Sequence, residues 1–330
     1  MILRVPRGES KKLLPFRVKL RSMKICSLLP SATEILFALG LGDQIVGVSH
    51  ECDFPFDAKS KPVLIKSRIS HTESAAAIDR QVREFLERGE SLYSVEMELL
   101  REIEPDIIVT QDLCHVCAAT PDDLAAALSY LPNKPKIVTL NPHSLADVCA
   151  DITAIGEATA SIGQADELIA EFQKSITDVE QSVAGLDRPR VLCLEWLDPP
   201  YVAGHWVPEM IERAGGIDVS GQPGKPSFRV DWEKVIESQP EVIVIMPCGY
   251  NLAAADVEFR SVALPSGWGE IPAVKQGRVF IVDASGYFSR PGPRLAVGLG
   301  TLAFAIHAKK TDGVAECAPE GMLVRAASVR

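Results

Sequence analysis

Two stretches far apart in the chain repeat each other. Ile103–Cys114 reads IEPDIIVTQDLC and Ser238–Cys248 reads SQPEVIVIMPC. Each is the end of a helical pattern, a proline, an acid, a short apolar run and then a cysteine. The proline-to-cysteine step is nine residues in the first copy and eight in the second. A short apolar run that starts just after a proline reads as a buried parallel strand. A second echo supports the first. KICSLL followed by EILFALGLGDQIVGVS (24–49) matches RVLCLEW followed by EMIERAGGIDVSG (190–221). Both read as strand, loop, helix, glycine turn and strand. The chain is therefore expected to build two α/β lobes on one plan. Loops that follow parallel strands collect at the carboxyl ends of those strands, so two facing lobes would line one cleft.

The segment between the lobes differs. From Ser144 to Ala184 the apolar residues Leu168, Ile169, Phe172, Ile176 and Val179 recur at helical spacing. This predicts a long bridging helix, with Gly156 and Gly163 as the places where it breaks or bends. The expected organisation is a basic extension at 1–22, a first lobe at 23–141, the bridge at 142–186, a second lobe at 187–310 and a tail at 311–330. In short, the expected fold class is α/β: two similar lobes, a long bridging helix and a ligand cleft between the lobes.

Within the first lobe, Lys24–Leu29 predicts a strand that stops at Pro30. Ser31 and Glu34, three apart in SATE, have the spacing of a capping box at the start of the next helix. Gly40 and Gly42 are expected to close that helix. Further strands are expected at Ile45–Val48, Asp106–Thr110 and Lys136–Leu140. Ser94 is expected to cap a helix running to Ile103, and Thr120-Pro121-Asp122-Asp123 to start another.

A net charge of −10 argues against a nucleic-acid binder, which needs a basic face for phosphates. No apolar stretch reaches the roughly 18 residues of a membrane span. Residues 1–22 carry seven Lys/Arg against one Glu and no apolar segment of signal-peptide length, which predicts a disordered extension with Met23 opening the folded part. Eight cysteines in 330 residues are too few for a disulfide scaffold, so a reducing, cytoplasmic compartment is expected. There is no GxxxxGK[ST], GxSxG or HExxH motif. The glycines of GLGDQIVG (40–47) follow a helix rather than a strand, so they are not a dinucleotide fingerprint.

The chemistry concentrates just after the strands. The first lobe offers Ser31, then His50, Glu51, Cys52 and Asp53, then Asp112, Cys114, His115 and Cys117. The second offers Trp196, Tyr201, His205 and Trp206, then Cys248 with Tyr250, then Tyr287, Arg290 and Arg294 around Pro-Gly-Pro. Soft ligands and aromatic rings dominate, which suits a large planar or apolar ligand. Cys52, Cys114, Cys117 and Cys248 could hold zinc or an iron–sulfur cluster, meet a metal carried by the ligand, act as redox thiols, or serve structure alone. Cys26, Cys149 and Cys193 read as core filler and Cys317 as tail. His71, His143 and His307 read as caps or surface residues. Arg290 and Arg294 could hold an anionic group or cap strand ends.

At these residues a resemblance appears. SLLPSATEILFALGLGDQIVGVSHECDFP, the paired PDIIV and PEVIV strands and the bridging helix resemble the class III (TroA-like) substrate-binding proteins, the cobalamin and iron–siderophore binders of ABC importers. The segments DLCHVCA, EWLDPPYVAGHWVPEMIERAGG and GYFSRPGPRL resemble its cytosolic, cobalamin-binding-like branch. The resemblance implies two Rossmann-like lobes on a rigid helix, a corrinoid or related metal chelate held between them with little hinge motion, and an ABC permease as partner. It also implies that Trp196, Tyr201, Trp206 and Tyr287 flank the macrocycle, and that a cleft Cys or His approaches the metal. The competing expectation is a metal- or cluster-dependent redox enzyme on the same fold.

Overall fold

The computed structural model describes residues 22–69, 75–111, 128–129, 131–308 and 323–325. The first sheet is built from β1 (Ile25–Ser27), β2 (Ile45–Ser49), β3 (Val63–Ser67), β4 (Tyr93–Val95), β5 (Ile107–Gln111) and β6 (Lys136–Leu140), in the order β4-β3-β2-β1-β5-β6. All neighbours are parallel except the β3–β4 edge pair. The central strands β1 and β5 are buried along their whole length, as expected of strands covered on both faces. Helices α1 (Pro30–Ala38), α2 (Ala75–Glu87) and α3 (Met97–Ile103) belong to this lobe. The helix expected from Ser94 begins later, because 93–95 extends the sheet as β4.

The bridge is two helices, α4 (Leu145–Thr159) and α5 (Ile162–Val183). The chain turns between them at Ala160, which is left-handed (φ 56°), and Ser161 N–H closes α4 on Gly156 O. Gly156 does not break the helix. A Cβ there would lie 2.6 Å from Ala165 Cβ, so the missing side chain lets α5 press against α4. Gly163 sits inside α5 with open space around it. At 22 residues, α5 spans about 33 Å.

The second lobe follows the first. Its elements are β7 (Arg190–Leu197), β8 (Pro200–Val202), α6 (Val207–Arg213), β9 (Ile217–Asp218), β10 (Phe228–Arg229), α7 (Trp232–Glu237), β11 (Val242–Ile245), α8 (Leu252–Ser261), α9 (Pro272–Lys275), β12 (Val279–Val282), α10 (Ala284–Tyr287), α11 (Leu295–His307) and β13 (Leu323–Arg325). Here β11 lies between β7 and β12, as β5 lies between β1 and β6. β9 pairs in parallel with β7, as β2 does with β1. The repeat in the sequence is thus a repeat of strand position. The second copy inserts β8, which runs antiparallel to β7.

One hydrophobic core joins the lobes. It runs from Ile25, Ile35 and Val109 through Ile152, Ile155 and Phe172 of the bridge to Met210, Val244, Phe280, Leu299 and Leu302. Each lobe has a further cluster of its own. A packed core shared in this way resists independent lobe motion, because separating the lobes would break close-packed contacts and wet apolar surface.

Asp151 on α4 is buried beside this core. Burial pushes its carboxyl from the ordinary 3.8 up to about 7, against the backbone N–H of Asn141 and helped by nearby Asp147. The folded state therefore holds the proton more tightly than the unfolded chain. That contribution to stability is present below about pH 4 and is lost as the pH rises through about 7. Asp151→Asn should stabilise the protein at pH 8, on the order of 2 kcal/mol, with the advantage vanishing near pH 4. Melting curves for both proteins across that range check this.

Candidate functional site

Both sets of strand ends meet at the junction of the lobes. The contact begins in the first lobe at α1. Pro30 is the first helical residue and Leu29 occupies the cap position, so Ser31 is already inside the helix and no side chain caps it. The capping box expected from Ser31 and Glu34 does not form. Glu34 instead faces the second lobe, where it has a stronger partner.

That partner comes from the segment after α10. Arg294 donates to Glu34 through both Nε (2.8 Å) and Nη2 (2.5 Å), a bidentate pair across the lobes. Arg290 lies 3.7 Å from the same carboxylate, donates Nη1 to Asp53 at 2.5 Å, and donates Nη2 to Glu51 O at 3.1 Å. Burial pushes Glu34 above the usual carboxylate range, while Arg294 and Arg290 pull the other way. The Arg294 guanidinium lies 4.1 Å from the Phe54 ring centre and 5.5 Å from that of Tyr287.

The aromatic line continues along the second lobe. Ser285 N–H donates to Tyr250 O, and Gly249 N–H donates to Ser289 Oγ, which ties the end of β11 to the loop after β12. The Tyr250 ring meets Trp196 edge-on, with centroids 5.5 Å apart at 79°. Tyr201 lies opposite Trp196 in the β7–β8 pair. The Trp196 indole N–H is buried without a hydrogen-bond partner. Phe54 and Phe56 are 45% and 79% exposed after β2. Phe54, Arg294 and Tyr287 thus stack together, and Trp196 and Tyr250 form a second aromatic pair past the ends of β7 and β11. Phe54 and Phe56 are not among the residues expected from the sequence, whereas Tyr250 is. The signal for the two phenylalanines is DFPF (53–56), two aromatics flanking a proline just past a strand.

Other expected site residues sit elsewhere. Cys52 is 4% exposed and packs in the shared core, with Sγ 3.0 Å from Thr33 Oγ1. Burial pushes its thiol up to about 11, so it is a protonated core residue and a poor metal donor. Trp206 is also core: it is 4% exposed and its indole N–H donates to Phe288 O at 2.9 Å. Ser31 is 1% exposed beneath Pro291-Gly292-Pro293. His50 is half-buried within the first lobe, its Nδ1 3.1 Å from Ile65 O and its Nε2 3.2 Å from Glu51. Cys248 is exposed at the end of β11. His205 of the second lobe and His143, just before α4, lie with ring centres 6.0 Å apart; His143 is half-buried and its backbone N–H donates to Asp147 Oδ2 at the start of that helix. Burial, and then His143, holds His205 below its usual range. Among the described residues no three Cys, His, Asp or Glu side chains form a metal-binding group. Asp112, Cys114, His115, Cys117, the helix expected from Thr120, His71, Cys317 and residues 1–21 lie outside the described residues.

Residues 25–285 match the family model described as periplasmic binding protein. The chain belongs to the periplasmic binding protein family. A substrate-binding lipoprotein of an ABC transporter from Bacillus subtilis, YvrC, is 25% identical over 303 residues, covering 88% of this chain and 82% of that one. The vitamin B12-binding protein of Vibrio cholerae is 24% identical over 275 residues, covering 82% and 84%. The periplasmic heme-binding protein RhuT of Roseiflexus shares the fold, with a TM-score of 0.65 at 24% identity over 87% of this chain and 98% of that one. In this family member no helix of the described residues is long and apolar enough to cross a membrane. A groove of about 580 Å³ between α5 and α6 is a separate feature at the amino-terminal end of β7; its Arg188, Arg213, Glu180, Glu209 and Glu212 pair with one another.

Glu34→Ala leaves Arg290 and Arg294 without their buried partner. It should cost about 3–5 kcal/mol, read from urea unfolding. The thiols offer an independent check of the site. With iodoacetamide at pH 8, Cys248 should be alkylated in the native protein. Cys26, Cys52 and Cys193 should react only after denaturation, as peptide mapping would show.

Proposed function

We propose that the chain holds a corrinoid, or a related metal-chelate small molecule, in the cleft between its lobes. The observation that carries this is the cleft rim. Aromatic side chains from both lobes (Phe54 and Phe56 from one, Trp196, Tyr250 and Tyr287 from the other) lie along strand ends that a shared core keeps in place. Such a surface suits a wide, flat ligand with an apolar face, and the fixed lobes lower the ordering cost of binding. The relatives named as vitamin B12-binding proteins support the corrinoid as the first ligand to test. The partner on this reading is an ABC permease, as the description of the Bacillus relative suggests.

The competing enzyme reading draws less support from the site. Of its four thiols, Cys52 is a neutral core residue bonded to Thr33 and Cys248 stands exposed at the second-lobe rim. A zinc or iron–sulfur site spanning the cleft would need both to reach one ion. The exposed free thiol of Cys248 supports a reducing compartment such as the cytoplasm, in which case any permease partner would be met on that side of the membrane.

Titration of the reduced protein with dicyanocobinamide and cyanocobalamin, followed by absorbance and calorimetry, tests the reading. Binding of at least one is expected. Trp196→Ala and Phe56→Ala should each weaken it about tenfold, the effect of losing roughly 1.4 kcal/mol of aromatic contact. Trp206→Ala is a poor substitute, since it cuts the core. If no corrinoid binds reduced, folded protein, the corrinoid assignment fails.

A further inference from the structure

Resting on that assignment of the cleft, we infer that the site selects by charge: it takes a ligand that presents a neutral or cationic group to the lobe junction and rejects an anionic one. The argument starts from the two cations at the junction. Arg290 and Arg294 are the residues an anionic ligand would seek there, because a guanidinium binds carboxylates and phosphates bidentately. Both are already committed. Arg294 gives its Nε and Nη2 to Glu34 and is flanked by the Phe54 and Tyr287 rings. Arg290 is 9% exposed and spends Nη1 on Asp53 and Nη2 on Glu51 O.

The surrounding acids exceed these cations. Three carboxylates (Glu34, Glu51 and Asp53) face two guanidiniums, with the His50 imidazole 3.2 Å from Glu51. Asp53 and Glu51 are also the more exposed partners, at 49% and 39%, so the acids rather than the arginines face the opening. The positive end of α1, another anion-binding feature, is covered by Pro291-Gly292-Pro293: a Cβ on Gly292 would lie 3.6 Å from Ser31 Cβ. Arg68, which follows β3, binds Glu90 and Ser91 O instead. Asp198 and Asp283 follow the second-lobe strands β7 and β12. Among the described residues, then, the junction formed by Arg290 and Arg294 offers an anion no uncommitted guanidinium; the exposed Arg229 stands apart on the edge strand β10 of the second sheet, in register with Tyr201. An anionic group placed there would meet acids before cations and would have to displace one of them.

Two corrinoids that share a ring isolate the charge. Dicyanocobinamide carries side-chain amides, and dicyanocobyrinic acid carries carboxylates in their place. The amide form should bind at least a hundredfold more tightly. Residual affinity for the carboxylate form should rise with added NaCl, as screened repulsion requires. Asp53→Asn, at a half-exposed position, should release Arg290 and improve the carboxylate form about tenfold.

Equal or tighter binding of dicyanocobyrinic acid, or its loss with salt, overturns the charge rule and leaves the corrinoid assignment standing. An Asp53→Asn protein with unchanged affinity for the carboxylate form also counts against the rule. If neither corrinoid binds but the neutral chelate ferrichrome does, the corrinoid assignment falls and the rule stands. Failure of all three probes overturns both.

Discussion

The contact between Glu34 and the arginines of the second lobe fixes how the two halves of this molecule meet. A carboxylate taken out of water loses several kcal/mol of hydration and keeps its place only if strong donors replace it. Here Arg294 grips both carboxylate oxygens and Arg290 approaches from the side. Because the geometry is bidentate, it tolerates little rotation of one lobe against the other. The partners are 260 residues apart in sequence. One local contact therefore specifies a register that otherwise rests on non-directional apolar packing.

That packing supplies the bulk of the stability. The shared core threads both sheets and the α4–α5 pair, with Gly156 against Ala165 bringing the helices close. Ordering the junction in advance leaves less to be ordered when a ligand arrives. It also limits what the cleft can do. A site whose walls cannot move far must match its ligand by the shape and charge already present.

Much of this architecture was legible in the sequence because buried parallel strands leave a plain trace. The runs after Pro105 and Pro240 became β5 and β11 at corresponding positions in their sheets. What was not legible was direction. Ser31 and Glu34 have the spacing of a capping box, but no local pattern reveals an arginine far along the chain that outcompetes it. Cys52 follows a strand and so reads as a cleft residue. In the fold, the turn closed by Cys52 N–H on Ser49 O swings the thiol inward to Thr33. Trp206 precedes α6 and reads as a wall of the cleft, yet its indole reaches Phe288 O in the core. The break between α4 and α5 falls at Ala160, a residue type that rarely adopts the left-handed region, so the glycines on either side drew the expectation away from it.

The junction links cohesion to selectivity. The guanidiniums that hold the lobes together are the same ones that would otherwise recognise an anion, so each is spent on one role. Replacing Glu34 would free a positive charge for a ligand only by loosening the frame that shapes the site. Asp53 is different: it stands half-exposed at the edge of the network and touches Arg290 alone among the two arginines. Charge selectivity in this molecule can therefore shift at the rim, through Glu51 and Asp53, while the Glu34–Arg294 pair beneath them continues to set the lobe geometry.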